Sequence, residues 1–344
     1  MRVLIPDAQF PVEPDIERSA LPEAEFMVHR AKDPLQIPDA VWAKADAVLV
    51  NHEMTIDRAV AAKLVRARMV VRHGAGFDNI DLAACAERGI AVSNVPDYGT
   101  EEVANHAIAC VLSLRRGLPT YTEMLAIDPV GGWRWDAAPL VRRLTGQAFA
   151  IVGLGRIGRA AAARAKAFGF DVAYYDPYLR ADDPRALPYL RFDDLYAMLG
   201  EADVVSIHCP LTRETHGMIG EGALARMKKG SILVNTARGP VVDTMALLKA
   251  IEAGQVGGAA LDVLPKEPPD PDDPLAAAYR VPPSWLAGRL ILSPHAAFYS
   301  PESWHDLRFK AAETLGLYLK ENRLRNCVNY GMFAAGALPD NEIT

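Results

Sequence analysis

The sequence is short of the residues that mark a metal scaffold, a disulfide-stapled domain or a nucleic-acid binder. It has four cysteines in 344 residues, Cys85, Cys110, Cys209 and Cys327, and no two have metal-site spacing. Neither a metal centre nor a disulfide framework is expected. Positive charge is also scarce, with 37 Lys and Arg against 43 Asp and Glu and a formal charge of -6. Without a dense basic block, nucleic acid is not expected as the main partner. Basic pairs such as Arg115-Arg116 and Arg142-Arg143 read as solvated faces or subunit contacts. No apolar run approaches membrane-spanning length, so no membrane partner is expected. The opening MRVLIPDAQF lacks the apolar core and cleavage site of a signal peptide, which makes a cytoplasmic location the plain expectation. No repeat of solenoid length is present.

What remains is ample material for buried cores. The chain is 50% hydrophobic and 23% charged, and its length suits two ordinary domains. Short apolar runs (RVLIPDA, EFMVHR, DAVLVN, RMVVRHG, IAVSNV) read as buried strands, with helical patterns IDRAVAAKLVRA and DLAACAERG between the later ones. Such alternation implies a parallel sheet with helices on both faces. A long helix is predicted from an N-cap at Thr100 through EEVANHAIACVLSLRRG, stopped by Gly117-Leu118-Pro119. Residues 119–146, with GGWRWDAAP, read as an irregular segment used as a subunit contact. A second alternating series starts at Gln147, with strands AFAIVG, DVAYYD, DVVSIHC, SILVNTA, GGAALDV and RLILSPH. A helix follows Pro301, and GMFAAGALPDNEIT reads as a poorly ordered tail. The fold class is therefore α/β, with two doubly wound domains of Rossmann-like or flavodoxin-like type and a cleft between them.

The pattern Gly153-x-Gly155-x-x-Gly158 follows a strand, opens a helix and precedes a second strand ending in Asp176. That context is what a dinucleotide-binding fingerprint requires. Gly153 makes the turn, Gly155 lets a pyrophosphate approach the helix N-terminus, and Gly158 lets helix and strand pack closely. Asp176 would accept from the adenosine ribose hydroxyls and repel a 2′-phosphate, which favours NAD over NADP; Arg180 lies close enough to temper that preference. Further polar residues fall at strand ends: Arg238 in NTARG, Asp262 and Glu267 in LDVLPKEP, and His295 in SPHAAFYS.

These motifs, together with RHGAGFDNIDL and HCPLT, resemble the D-isomer-specific 2-hydroxyacid dehydrogenases over nearly the whole chain. RAKAFGFDVAYYDPYL and LRNCVN are most similar to the C-terminal-binding-protein branch and its bacterial members, and PHAAFYS also resembles D-lactate dehydrogenases. The resemblance implies a catalytic set of Arg238, Glu267 and His295. His295 supplies the proton for a 2-oxo acid carbonyl, Glu267 favours and orients its imidazolium, and Arg238 holds the substrate carboxylate. It also implies an NAD site of Thr100, Gly153, Gly155, Arg156, Ile157, Gly158, Asp176, Cys209, Pro210, Thr215, Thr236, Ala237 and Asp262, the last accepting from the nicotinamide carboxamide.

Substrate contacts are expected from Arg72, His73, Gly74, Ala75, Arg238, His295 and Phe298. Gly74 and Ala75 offer backbone N–H groups to the substrate carboxylate, and Arg72 matches a substrate-contacting arginine of that branch. His73 either faces the cleft or packs beneath its loop. Phe298 stands where the branch has a tryptophan, leaving an apolar wall with more room. His106, His208 and His216 are expected to be structural or peripheral.

The expected domains are 1–98 with 297–344 for substrate and 99–296 for NAD, in a homodimer formed through the 100–146 region. The expected function is NAD-dependent interconversion of a 2-oxo acid and its D-2-hydroxy acid, with an apolar side chain. The alternative is an NAD(H)-sensing interaction protein, because eukaryotic members of the same branch are corepressors that retain the triad. Formate dehydrogenases pair their histidine with glutamine, and phosphite dehydrogenases have lysine in the substrate loop; Glu267 and Ala75 depart from both patterns.

Overall fold

A computed structural model describes residues 1–10, 13–180, 183–184 and 188–344. The chain divides into two compact units, Met1–Gly99 with Ser300–Thr344, and Thr100–Tyr299. The first unit opens with β1 (Arg2–Ile5), α1 (Asp15–Ala20), β2 (Glu25–Val28), α2 (Asp39–Lys44), β3 (Ala47–Val50), α3 (Arg58–Lys63), β4 (Met69–Arg72), α4 (Leu82–Glu87) and β5 (Ala91–Ser93). Its five strands lie in the order β2-β1-β3-β4-β5, all parallel. Helices α3 and α4 begin where expected because Asp57 and Asp81 accept from backbone N–H groups three residues on. Helices α1 and α2 escape the periodicity reading, being one and a half turns long; Pro14 and Pro38 precede them and Asp15 and Asp39 sit in their first turns.

The second unit starts with α5 (Thr100–Arg116) and α6 (Leu118–Ile127). Here the sequence reading needs correction, because residues 119–146 are not irregular throughout. Gly117 turns the chain at φ 67, and Pro119 falls in the first turn of α6, where a missing N–H costs nothing. The Gly-Leu-Pro stop of one helix is thus the start of the next. There follow β6 (Ala148–Val152), α7 (Arg156–Ala167), β7 (Asp171–Tyr175), β8 (Leu190–Arg191), α8 (Leu195–Glu201), β9 (Val204–Ile207), α9 (Glu221–Arg226), β10 (Ser231–Asn235), α10 (Thr244–Glu252), β11 (Val256–Leu261), α11 (Pro274–Arg280) and β12 (Leu290–Leu292). The parallel seven-stranded sheet runs β12-β11-β10-β9-β6-β7-β8, so strand order reverses at β6 and β9.

Alternate residues of each strand feed opposite cores, as a doubly wound sheet demands. Ala150, Val152, Val205, Ile207 and Leu233 pack on one face of the larger sheet. Phe149, Ile151, Val204, Ile232 and Val234 pack on the other.

The chain returns to the first unit with α12 (Pro301–Glu321), then β13 (Leu324–Arg325) and β14 (Asn341–Glu342). The expected loose tail is instead tied down. Asn341 accepts from Cys327 N at 2.8 Å and donates to Cys327 O at 3.0 Å, Thr344 N donates to Asn326 Oδ1 at 3.0 Å, and β14 pairs with β13. Polarity in PDNEIT signalled solvent, but Asn341 serves the Cys327 backbone, Glu342 takes the Arg323 guanidinium and the Thr344 hydroxyl accepts from Asn326 Nδ2. Within the same unit Arg308 of α12 is buried and forks onto Glu17 of α1, Nε to Oε1 at 2.8 Å and Nη2 to Oε2 at 2.6 Å.

Candidate functional site

Because every strand of the larger sheet is parallel, their C-terminal ends share one edge, and the reversal of strand order opens a crevice there. The β6–β7 register, Val152 opposite Tyr175, places the glycine turn beside Asp176. Gly153 has φ 93, and a Cβ there would lie 2.8 Å from Cys209 N, so the turns after β6 and β9 meet backbone to backbone. A Cβ on Gly158 would overlap Gly153 O, whereas one on Gly155 would meet nothing within 4 Å. The three glycines therefore do three different jobs: turn, open approach and close packing. Helix α7 has no side-chain cap at Gly155, which leaves its first N–H groups available to an anion. Arg156, Ile157 and Gly158 form that first turn. The Asp176 carboxylate accepts from Leu154 N at 2.9 Å and Tyr178 N at 3.0 Å, so it is fixed against the turn with acceptor capacity left over.

Several of the other expected cofactor residues follow strands of the same sheet. Cys209 and Pro210 follow β9; burial pushes the Cys209 thiol up to about 11, so it stays protonated. Thr215 donates to Pro210 O at 2.7 Å and accepts from Thr212 N at 2.8 Å, closing a compact turn. At the end of β10, Asn235 accepts from Ala237 N at 3.0 Å and donates to Arg238 O at 2.9 Å, bracketing residues 236–238. The Thr236 hydroxyl is buried and has no protein partner, a polar group awaiting a ligand. Thr100 is the first residue of α5. An uncapped helix N-terminus, an open Gly155, a carboxylate at the second strand and an orphaned hydroxyl fit a dinucleotide.

Arg238 leads into a short 3₁₀ turn and its Nη1 donates to Ala237 O at 2.8 Å. A Cβ at Gly239 would overlap Leu264, so the Arg238 turn lies directly against the segment that carries Glu267. Glu267 Oε1 accepts from Leu264 N at 2.8 Å, and Oε2 lies 2.6 Å from His295 Nδ1. Anchoring one oxygen aims the other, so Nδ1 carries the proton shared with Glu267 and Nε2 is the nitrogen turned to other business. His295 has φ 53, in the left-handed region that costs a non-glycine residue about 1–3 kcal/mol and is kept where function demands it. Phe298 stands edge-on to the His295 ring, centroids 6.2 Å apart at 81°.

Asp262, the expected nicotinamide acceptor, is also held by the turn that follows β12. Its side chain is 1% exposed. Oδ1 accepts from Ser293 Oγ at 2.6 Å and Ala296 N at 2.9 Å, and Oδ2 from Ala297 N at 2.9 Å. His106, expected to be structural or peripheral, has Nε2 3.0 Å from Ser293 Oγ. His208, placed in the same expectation, meets Ser206 Oγ at 2.8 Å, and desolvation pushes it down to about 4.

In the first unit, Arg72, His73, Gly74 and Ala75 follow β4 in one turn. The Arg72 guanidinium is buried and donates to His73 O, lying beneath the turn. Asn94 Nδ2 holds Ala75 O at 2.6 Å, and Val95 N holds Gly74 O at 3.1 Å. His73 is buried and its Nδ1 lies 3.2 Å from Asn51 Oδ1, whose amide nitrogen donates to Asp7 O. Burial, helped by the Arg72 and Arg308 cations, pushes His73 down to about 3, so it is neutral. Sequence reasoning missed Asn235, Ser293 and His106; Ser293 alone carried a signal, its place two residues before His295.

A glycine turn at a strand-order switch, with a histidine–carboxylate pair on the same edge, defines a nicotinamide-dinucleotide dehydrogenase in general terms. The comparisons narrow the class. The family model described as D-isomer specific 2-hydroxyacid dehydrogenase, NAD binding domain, matches residues 108–297. The glyoxylate reductase of Korarchaeum cryptofilum is 37% identical over 313 residues, 90% of this chain and 87% of that one. The D-3-phosphoglycerate dehydrogenase of Archaeoglobus fulgidus is 36% identical over 287 residues, 83% of this chain but 52% of that longer one. The D-lactate dehydrogenase of Aquifex aeolicus, solved with NAD and lactic acid, superposes with TM-score 0.79 at 29% identity, covering 93% of this chain and 96% of that one. The chain belongs to the D-isomer-specific 2-hydroxyacid dehydrogenase family, and it is an NAD-dependent enzyme. Among the described residues, no helix is long and apolar enough to cross a membrane, and no cluster of three or more His, Cys, Asp or Glu could hold a metal ion.

Proposed function

We propose that this enzyme interconverts 2-oxo acids and D-2-hydroxy acids with apolar side chains, with His295, Glu267 and Arg238 as its catalytic residues. The observation that carries the reading is the 2.6 Å contact of His295 Nδ1 with a Glu267 carboxylate whose other oxygen is already anchored. When bound, NADH supplies the hydride. His295, as imidazolium, donates its Nε2 proton to the 2-oxo acid's carbonyl oxygen as that oxygen gains negative charge, and the ring ends neutral. Glu267 stabilises the charged ring and fixes its orientation. Arg238 offers a planar fork to the substrate carboxylate. In the first unit the Gly74 N–H is already given to Arg72 O at 2.9 Å, so the Ala75 amide is the carboxylate donor we assign to that loop, and on it we take the first unit as the substrate-binding domain. Asp176 selects NADH over NADPH, because its carboxylate repels a 2′-phosphate. Within the family we place the chain beside the C-terminal-binding-protein branch, a placement supported by RAKAFGFDVAYYDPYL and LRNCVN.

The apolar preference rests on Phe298, which packs edge-on to His295. Each methylene buried against such a wall contributes roughly 0.8 kcal/mol, about fourfold in specificity. A steady-state panel of 2-oxo acids with NADH and NADPH is expected to favour long unbranched or aromatic side chains, and NADH. Phe298→Ala should weaken those substrates far more than pyruvate or glyoxylate. Equal losses across the series, or a wild-type preference for phosphohydroxypyruvate, would overturn the assignment; cofactor binding without turnover would point to a sensor.

A homodimer through the 100–146 region is part of the same reading. The segment after α6 displays Val130 at 84%, Trp133 at 78% and Trp135 at 88% exposure, an apolar display that a monomer seldom keeps. Light scattering should give twice the chain mass of 37.4 kDa, and a monomer at micromolar concentration would refute it.

A further inference from the structure

We infer that His106, which stands outside the acid–base pair, is a positioning residue that holds His295 through Ser293 and Asp262. The inference rests on His295 being the proton donor. The direction of the His295 ring is set by a left-handed backbone turn, and that turn hangs on Asp262. Asp262 O accepts from His295 N at 2.8 Å, while its carboxylate accepts from Ala296 N and Ala297 N, each at 2.9 Å. Two consecutive N–H groups on one carboxylate lock residues 295–297 as a rigid unit.

Ser293 joins this carboxylate to α5. A hydroxyl has one proton, and the 2.6 Å contact commits it to Asp262 Oδ1. In the 3.0 Å contact with His106 the serine oxygen therefore accepts, and His106 Nε2 carries the donated proton. Donation then runs in one sense, from His106 to Ser293 to Asp262, and both protonation forms of His106 can sustain it. Charged His106 adds an attraction, its Nε2 lying 3.8 Å from Asp262 Oδ1. The base of this chain is firm, since Ala104 and Ala107 on either side of His106 are fully buried in the core of α5. A relay from a buried helix to the turn that aims a strained residue is suited to holding it within the narrow geometry that proton transfer requires.

The test compares full-length wild type with His106→Ala, His106→Gln, Ser293→Ala and His295→Ala in steady-state reduction of a 2-oxo acid by NADH. His106→Ala and Ser293→Ala should lower kcat about tenfold, the equivalent of one hydrogen bond to a charged group. KM for NADH and for the 2-oxo acid should change little, because Arg238 and the glycine turn are untouched. A glutamine amide nitrogen reaches the place of the imidazole Nε2, so His106→Gln should restore kcat. In the apo-protein, ¹⁵N NMR should show His295 protonated at Nδ1 in wild type and His106→Gln, and a tautomer mixture in His106→Ala. Full activity with an unchanged tautomer in His106→Ala would overturn the inference, as would a loss that glutamine does not rescue. An active His295→Ala enzyme would overturn the His295 assignment itself, and this inference with it. An inactive His295→Ala beside a fully active His106→Ala would overturn the inference alone.

Discussion

Replacing His295 with alanine is expected to slow 2-oxo acid reduction by about 10²–10⁴, the range for losing a positioned acid–base group. The magnitude follows from the chemistry. As hydride adds to the carbonyl carbon, the oxygen becomes an alkoxide, and in the variant water must protonate it. The loss should fall mainly on kcat, because binding relies on the glycine turn and Arg238. Removal of the ring also leaves Glu267 with its Leu264 partner, so the local backbone keeps an anchor. The thermal transition should therefore move little while turnover collapses. A variant that keeps near-normal turnover with a native melting curve would remove His295 from the proton-transfer role.

The second large effect concerns the fold. Arg308→Leu is expected to destabilise the first unit by about 3–5 kcal/mol, the cost of stranding a buried charge. Glu17 is 0% exposed, and both its oxygens are bonded by the Arg308 guanidinium at 2.8 and 2.6 Å. The same guanidinium reaches Asp15 at 2.8 Å and lies 4.1 Å from the Phe10 ring, so packing is lost with the charge. Lysine cannot replace the fork, and Arg308→Lys should recover only part of the loss. Pairing Arg308→Leu with Glu17→Leu should recover most of it, since no charge is then left buried alone. Urea unfolding monitored on the first unit checks the series. A single variant as stable as wild type would show that the ion pair contributes nothing net.

Periodicity and turn chemistry carried the fold a long way. Fully buried strands such as AVLV and SILVN are legible because parallel sheets bury both faces, and GLGRIG between β6 and α7 announced its own turn. What failed to show had physical causes. Helix α6 hid behind a Gly-Leu-Pro stop that is also a start, because proline suits the first turn of a helix. The C-terminal strand hid in a polar run whose one asparagine, Asn341, bonds to the backbone of Cys327. At the edge of the sheet, residue types with obvious chemistry stood out: Arg238, Glu267, His295 and Asp176. Asn235 and Ser293 did not, since small polar side chains look like loop filler until their partners are seen. His106 was hidden most completely, on a helix whose neighbours read as core. Asp262 shows the converse, a carboxylate noticed for a ligand contact whose oxygens are largely engaged by the turn it supports.

The central claim is that His295 and Glu267 form the acid–base pair, and pH profiles in both directions test it most directly. Reduction consumes a proton held on the charged ring, so its kcat/KM should fall as pH rises. Oxidation needs the neutral ring as base, and its kcat/KM should rise with pH. Glu267→Gln removes the anion 2.6 Å from Nδ1 that orients and stabilises the charged ring, so reduction should be slower than wild type across the profile. Limbs that slope the same way in both directions, or a Glu267→Gln profile superimposed on wild type, would contradict the account.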